Sequence, residues 1–468
     1  MVFSSLTFLF LFLPVFFLGY LIAPKKLKNT FLFIGGLVFY AWGEPFYIVI
    51  LLISTLFDYG LGMLMHRKSD SPKIRRLALI TSIVLNLSLL GLFKYGGFIA
   101  ENINAVIGTD FNINLPLPIG ISFYTFQTLS YTIDLYRRRI NVQKNPVNFA
   151  AYVTMFPQVV AGPIVRYEEV ARELHDRKVD WGLVHDGICR FVFGLGKKVL
   201  LANNIGLLWA TVKVSEYGSI STATAWLGIL AFTFQIYFDF SGYSDMAIGL
   251  GKMLGFKFPE NFNYPYSAHS ISEFWRRWHM TLGNWFKSYV YFPLGGSRIG
   301  KRRTVLNLAV VWLLTGIWHG ASWNFILWGS IMGVFVIIEK LFLGKVLDRL
   351  PFFLSNVYTM FVVVVLWVLF DVPTVSEAVY YAGVMFGFYG NGLFLDRQAA
   401  FLIMNYGAMF IICIFAASEF PKDVTASVRR RVPALVDYGG IVAVVVILIA
   451  CTAYLINEGY NPFLYTNF

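Results

Sequence analysis

Apolar residues run along the chain in stretches long enough to cross a bilayer, divided by short polar or basic breaks. Residues 3–21 form the first such run, and Lys25, Lys26 and Lys28 follow it. The run 31–42 stops at Gly43-Glu44-Pro45, and a second run ends at His66-Arg67-Lys68, with Lys73, Arg75 and Arg76 beyond. This pattern predicts a helical hairpin that leaves and re-enters one compartment. A further span over 77–92 leads to a stretch with Glu101 and Asp110, and no Lys or Arg occurs from there until Arg137. The span 119–136 then meets Arg137-Arg138-Arg139. Basic loops stay in the cytosol, so these three clusters are expected inside, and the N-terminus and the acidic stretch outside.

The pattern changes after residue 148. Pro157 and Gly162-Pro163 interrupt the apolar segment 149–165. Such breaks are tolerated at membrane depth only where protein buries the freed backbone, which predicts a re-entrant or broken segment. Residues 166–178 mix both charge signs and predict a cytosolic surface helix. Near the end, Arg429-Arg430-Arg431 precede a span at 438–455 and place the tail outside. Hydropathy gives roughly 9 to 13 crossings at about 20 residues per span, and about 11 is the expected figure. No fixed-period repeat is visible.

Composition agrees with this picture. Of 468 residues, 57% are hydrophobic, 18% aromatic and only 14% charged, against roughly 25% charged in soluble domains. The expected fold is all-α: one polytopic membrane domain over 1–468, with re-entrant and interfacial helices beside the spans. Within it, 1–140 form N-terminal spans, 141–340 the core that carries chemistry, and 341–468 C-terminal spans. Residues 3–21 lack a basic leader and a small-residue cleavage site, so they read as a retained span. The net charge of +12 reflects loops between spans, and no nucleic-acid partner is expected. Cys189, Cys413 and Cys451 are far apart in apolar surroundings and read as packing residues.

Chemistry concentrates in two places. The first is Thr315-Gly316-Ile317-Trp318-His319-Gly320-Ala321-Ser322-Trp323-Asn324. A titratable ring in hydrocarbon is costly unless it serves a function, and imidazole suits proton removal from a hydroxyl near neutral pH. His319 follows the basic cluster 301–303 by about 16 residues, roughly 24 Å of helix in a core of about 30 Å. Gly316 and Gly320 give a bare face for a backbone or an acyl chain. Trp318 and Trp323 offer apolar walls and indole donors. Asn324 and Ser322 are candidates to orient the imidazole.

The second place is the polar, aromatic stretch 261–301, with Trp275, Arg276, Arg277 and His279. Two readings stay open there: an amphipathic belt helix, or a tunnel wall whose arginines meet an anionic donor. His279 has a structural or a catalytic reading. His66, His175 and His185 read as solvated, and His269 has no evident partner. Gln127 in a hydroxyl-rich span and Tyr237 beside Asp239 and Asp245 are further candidates for a cavity lining. The two aspartates are six apart, a poor metal pair, and read as satisfying buried donors. Paired-carboxylate glycosidase chemistry is the weaker alternative. No metal site is expected, and no nucleotide-binding or hydrolase motif occurs.

Taken together, the start Met1-Val2-Phe3-Ser4-Ser5, residues 118–137, Phe156-Pro157-Gln158 through Ile164, 235–251, 264–286 and 315–328 resemble the membrane-bound O-acyltransferase (MBOAT) family. The likeness is to its bacterial alginate-acetylation branch and covers most of the chain up to about residue 340. The teichoic-acid D-alanylation branch shares the architecture. The resemblance implies a ring of helices around a thinned centre, open to the cytosol for an acyl donor and to the outside for an acceptor. His319 matches the family's essential histidine, and His279 a second polar position. The donor implied is acetyl-CoA or an acylated carrier, with no tightly bound cofactor. The acceptor implied is an extracytoplasmic polysaccharide or a partner protein like an SGNH esterase, at a bacterial cytoplasmic membrane. Rival readings are D-alanyl transfer to teichoic acid, a transporter or flippase without bond chemistry, and a scaffold.

Overall fold

Apolar runs in lipid have no water for their peptide groups, and a helix pairs each N–H and C=O within its own segment. The computed structural model describes residues 1–113, 115–457, 463 and 464, and every regular element among them is helical. The first half contains α1 (Phe8–Ile22), α2 (Lys28–Gly43), α3 (Ile48–Arg67), α4 (Pro72–Ile107), α5 (Ile121–Tyr136), α6 (Pro146–Thr154), α7 (Phe156–Val159), α8 (Tyr167–His175), α9 (Trp181–Lys213) and α10 (Thr222–Met253). The second half contains α11 (Ile271–Arg277), α12 (Met280–Phe286), α13 (Lys301–His319), α14 (Trp323–Leu347), α15 (Phe352–Asp371), α16 (Val375–Met385), α17 (Arg397–Ala417), α18 (Phe420–Arg431) and α19 (Pro433–Asn457).

Among the described residues, 8 helices are long and apolar enough to cross a membrane: α3, α4, α9, α10, α14, α15, α17 and α19. The larger number expected from hydropathy included shorter runs. The helix α1 is one of these, and α2 and α5 have 16 residues each. The helix α5 is buried along most of its length and carries Ser122, Thr125, Gln127, Thr128, Ser130, Thr132 and Asp134. A helix enclosed by protein does not need a lipid-compatible surface.

The chain forms two compact units. One comprises Met1–Phe191 and Ser244–Pro259, the other Val192–Tyr243 and Glu260–Asn457. In the first unit a buried polar cluster joins three helices. Ser82 Oγ and Asn86 Nδ2 from α4 donate to the Asp58 carboxylate on α3, at 2.6 and 2.8 Å. Thr128 from α5 donates to Asn86 Oδ1 at 3.2 Å. The expected break at 149–165 is present: α6 ends at Thr154, α7 lasts one turn, and Gly162 takes a left-handed φ of 99°. The Tyr152 hydroxyl donates to the freed Val165 carbonyl at 3.0 Å, which satisfies the buried backbone. The expected surface helix is α8, opened by Glu169 accepting from the Arg166 backbone N–H at 2.8 Å. Arg190 clamps Asp245 through Nε and Nη2, at 3.0 and 2.8 Å. In the second unit Lys198 pairs with Asp239, both buried. Both aspartates therefore satisfy cations, Lys198 buried and Arg190 half-buried. Cys413 and Cys451 are buried, and all three cysteines are unbridged.

Candidate active site

The second unit holds both candidate histidines, and the tight α13–α14 hairpin positions the first. A Cβ on Gly316 would lie 2.5 Å from the Phe325 carbonyl oxygen, and one on Gly329 would lie 2.6 Å from the Gly316 Cα. The bare face predicted at Gly316 thus receives a backbone. It lets α14 approach until Trp328 reaches His319, the last residue of α13. His319 is buried. Its ring meets those of Trp318 and Trp328 at 5.0 Å each and Phe370 at 5.4 Å, all edge-on. Phe370 comes from the end of α15. The neighbouring Asp371 fixes that end by accepting from Trp209 Nε1 at 2.6 Å and Lys213 Nζ at 2.8 Å.

The second histidine sits at the joint between two short helices. Ser270 caps α11, and the carboxylate of Glu339 from α14 accepts the Ile271 and Ser272 backbone N–H groups at 2.7 and 2.8 Å. That carboxylate satisfies donors the helix leaves open and complements its dipole. The chain then reverses at His279, whose φ of 42° is left-handed. Few side chains other than glycine adopt this conformation without compensation. Compensation comes from Asn261. Its Oδ1 faces His279 Nδ1 at 3.1 Å and also accepts from Thr281 Oγ1 at 2.8 Å. An amide oxygen draws an N–H, so Nδ1 carries the proton in the neutral ring and Nε2 is the accepting nitrogen.

The two histidines flank one indole. The His279 ring lies 5.8 Å from Trp318, which itself contacts His319, and Phe240 meets the His279 ring at right angles at 4.7 Å. Aromatic contacts continue outward. Trp328 stacks on Trp367 at 6.0 Å, and Trp367 meets Trp278 at 5.3 Å. Tyr237 joins this cluster, 6.1 Å from Trp278. Trp275 lies 5.6 Å from Trp328. The indole N–H groups of Trp275 and Trp328 are buried with no protein acceptor. Leaving such a donor unsatisfied costs about 1–3 kcal/mol.

Other predicted residues have different surroundings. Trp323 is 55% exposed at the start of α14, so it is no wall of the His319 enclosure. Asn324 donates to the Val372 carbonyl at 2.6 Å and holds the segment after α15. Arg276 is exposed. Arg277 is tied to Glu273 at 2.9 Å and Glu419 at 2.6 Å, which leaves it a helix-to-helix tether and no ready anion receptor. Gln127 belongs to the first unit, fully buried, with both amide atoms unmatched by protein partners. His269 does have a partner, since the Glu273 carboxylate accepts its backbone N–H at 2.9 Å and meets its ring. His66, His175 and His185 are exposed, as read. Sequence reasoning missed Asn261, Phe240, Trp328 and Phe370.

Comparison with known proteins identifies relatives of the chain. The model of the membrane-bound O-acyltransferase family, MBOAT, matches residues 137–376, a range that holds both histidines. The chain is 36% identical to a probable alginate O-acetylase AlgI of Pseudomonas putida, over 100% of both chains. It is 35% identical to a peptidoglycan O-acetyltransferase of Helicobacter pylori, over 86% of this chain and 82% of that protein. A teichoic acid D-alanyltransferase of Streptococcus thermophilus is 28% identical over 48% of this chain and 58% of its own.

Proposed function

The chain belongs to the membrane-bound O-acyltransferase family, and from that premise we propose that it carries acetyl groups from a cytosolic thioester to an extracytoplasmic glycan. The donor is acetyl-CoA or an acylated carrier protein. The acceptor is a polysaccharide hydroxyl, or the serine of a partner like an SGNH esterase that passes the acetyl group on. The setting is a bacterial cytoplasmic membrane. Acetyl transfer is favoured over D-alanyl transfer because the acetylating relatives match 83% or more of this chain, whereas the D-alanylating ones match 48% or less.

The observation that carries the reading is a buried His319 boxed by Trp318, Trp328 and Phe370, with a second imidazole across Trp318. In this mechanism the acceptor hydroxyl gives its proton to His319 as its oxygen bonds to the acetyl carbon. The C–S bond breaks, and the departing thiolate takes that proton. Negative charge grows on the carbonyl oxygen meanwhile, and the indole N–H groups of Trp328 and Trp275 are buried donors available to it. His279 supplies a second imidazole beside Trp318.

The test uses purified protein in vesicles, acetyl-CoA labelled in its acetyl group, and glycan acceptors from exported polymers. Covalent label on the glycan, or on an added esterase-like partner, supports the proposal. Label that crosses the membrane still attached to its carrier makes the protein a transporter. Absence of both label and movement would make it a scaffold.

A further inference from the structure

The first unit carries a cationic cavity that plays no part in the chemistry above. Its volume is about 320 Å³, and Lys25, Lys26, Lys28 and Arg177 line it against a single carboxylate, Asp176. Arg177 is fixed in place. Nε donates to the Tyr20 hydroxyl at 2.6 Å, Nη1 donates to Asn29 Oδ1 at 2.6 Å, and the guanidinium lies 4.7 Å from the Phe256 ring centre. Nη2 is buried without a protein acceptor. Asn29 is held in turn, donating to Asn148 Oδ1 and the Leu174 carbonyl, each at 2.8 Å. Burial, and then the charges of Arg177 and Lys25, hold the Lys28 ammonium below its ordinary range. Asp176 does little to offset this, since its contact with Lys25 is 3.9 Å long and fully at the surface. Three lysines around one fixed guanidinium favour an anion, and phosphate matches the donors of Arg best.

A second cavity begins one turn further along α2. It measures about 290 Å³, is almost wholly apolar, and lies between α1 and α2 with Phe16, Phe31, Ile34, Val38 and Trp42 in its lining. The link is direct. The Lys28 ammonium lies 4.7 Å over the Tyr20 ring, Tyr20 stacks on Phe16 at 6.1 Å, and Phe16 meets Phe31 at 5.2 Å. Lys28 and Phe31 are one turn apart on α2 and share a face. From Phe31 to Trp42 the groove runs roughly 16 Å at 1.5 Å per residue, the reach of much of an acyl chain. Gly35 makes the groove close-fitting, because a Cβ there would lie 2.1 Å from the Phe16 ring.

We propose that this pair of cavities binds one anionic phospholipid, its phosphate headgroup among Lys25, Lys26, Lys28 and Arg177 and an acyl chain in the α1–α2 groove. Basic pockets between helices on the cytosolic side are suited to such headgroups. A soluble phosphate ester would use the cationic cavity and ignore the groove. An apolar groove beginning one turn from the cationic cavity favours the lipid.

The experiment is native mass spectrometry of the full-length protein released from nanodiscs containing equal phosphatidylglycerol and phosphatidylcholine. The wild type is expected to retain one phosphatidylglycerol with at least about tenfold preference over phosphatidylcholine. The triple variant Lys25→Gln, Lys26→Gln, Lys28→Gln leaves the Arg177 anchors intact and is expected to bring that preference within about twofold. Val38→Trp, which fills the groove, is expected to lower retention of both lipids. No preference in the wild type, or an undiminished one in the triple variant, overturns the proposal. Displacement of phosphatidylglycerol by sn-glycerol 3-phosphate overturns it too, because the cavity then serves a soluble phosphate.

Discussion

His279 pays for its left-handed backbone with an exact set of polar contacts, and Asn261 provides them. The amide oxygen fixes the ring from Nδ1 and at the same time holds Thr281. Asn261→Ala removes that acceptor while leaving the indole box untouched. The expected outcome is a kcat lowered about tenfold, near 1.4 kcal/mol, with KM for acetyl-CoA within about twofold. Steady-state kinetics in proteoliposomes check this; an unchanged kcat makes Asn261 a fold residue only. Trp328→Phe keeps the ring against His319 and deletes a buried N–H. Loss of a donor to developing charge typically costs about 100-fold in kcat. A Trp328→Phe enzyme with full kcat and intact melting behaviour removes the indole from the mechanism. His319 was legible because polar, glycine and indole residues crowd around it in an apolar run. Asn261 was not, since nothing in its neighbourhood marks it as the partner of a ring 18 residues on.

Between elements, close approach of α13 and α14 decides whether Trp328 can reach His319. Gly316→Val places atoms where the Phe325 carbonyl and Gly329 already lie. Overpacking of this kind costs about 1–3 kcal/mol or more, so both melting temperature and transfer are expected to fall. Gly407→Val on α17 is the matched control, because nothing lies within 4 Å of a Cβ there. Equal thermal stability of the two variants contradicts the packing account. The same scale separates what the sequence revealed from what it concealed. The break between α6 and α7 announced itself through Pro157 and Gly162. The helix α5 did not look enclosed, because its polar side chains have meaning only once Asp58, Asn86 and Ser82 surround them. Phe370 lies in an ordinary apolar span and reaches His319 only through tertiary folding. Arg277 looked like a receptor for an anionic donor until Glu419, 142 residues away, took its guanidinium.

For the whole molecule, the basic clusters predict sidedness. Phe46, 85% exposed between α2 and α3, belongs outside, and exposed Lys68 after α3 belongs in the cytosol. In intact cells an impermeant maleimide is expected to label Phe46→Cys above the native cysteine background, and Lys68→Cys only after the membrane is opened. The reverse pattern inverts the proposed orientation of this hairpin.

Catalysis by a single imidazole is tested most directly by His319→Gln, in vesicles with labelled acetyl-CoA and glycan acceptor. The account predicts transfer reduced by at least about 100-fold, the usual contribution of a general base, at unchanged expression and melting temperature. Transfer within about threefold of wild type, with fold preserved, contradicts it.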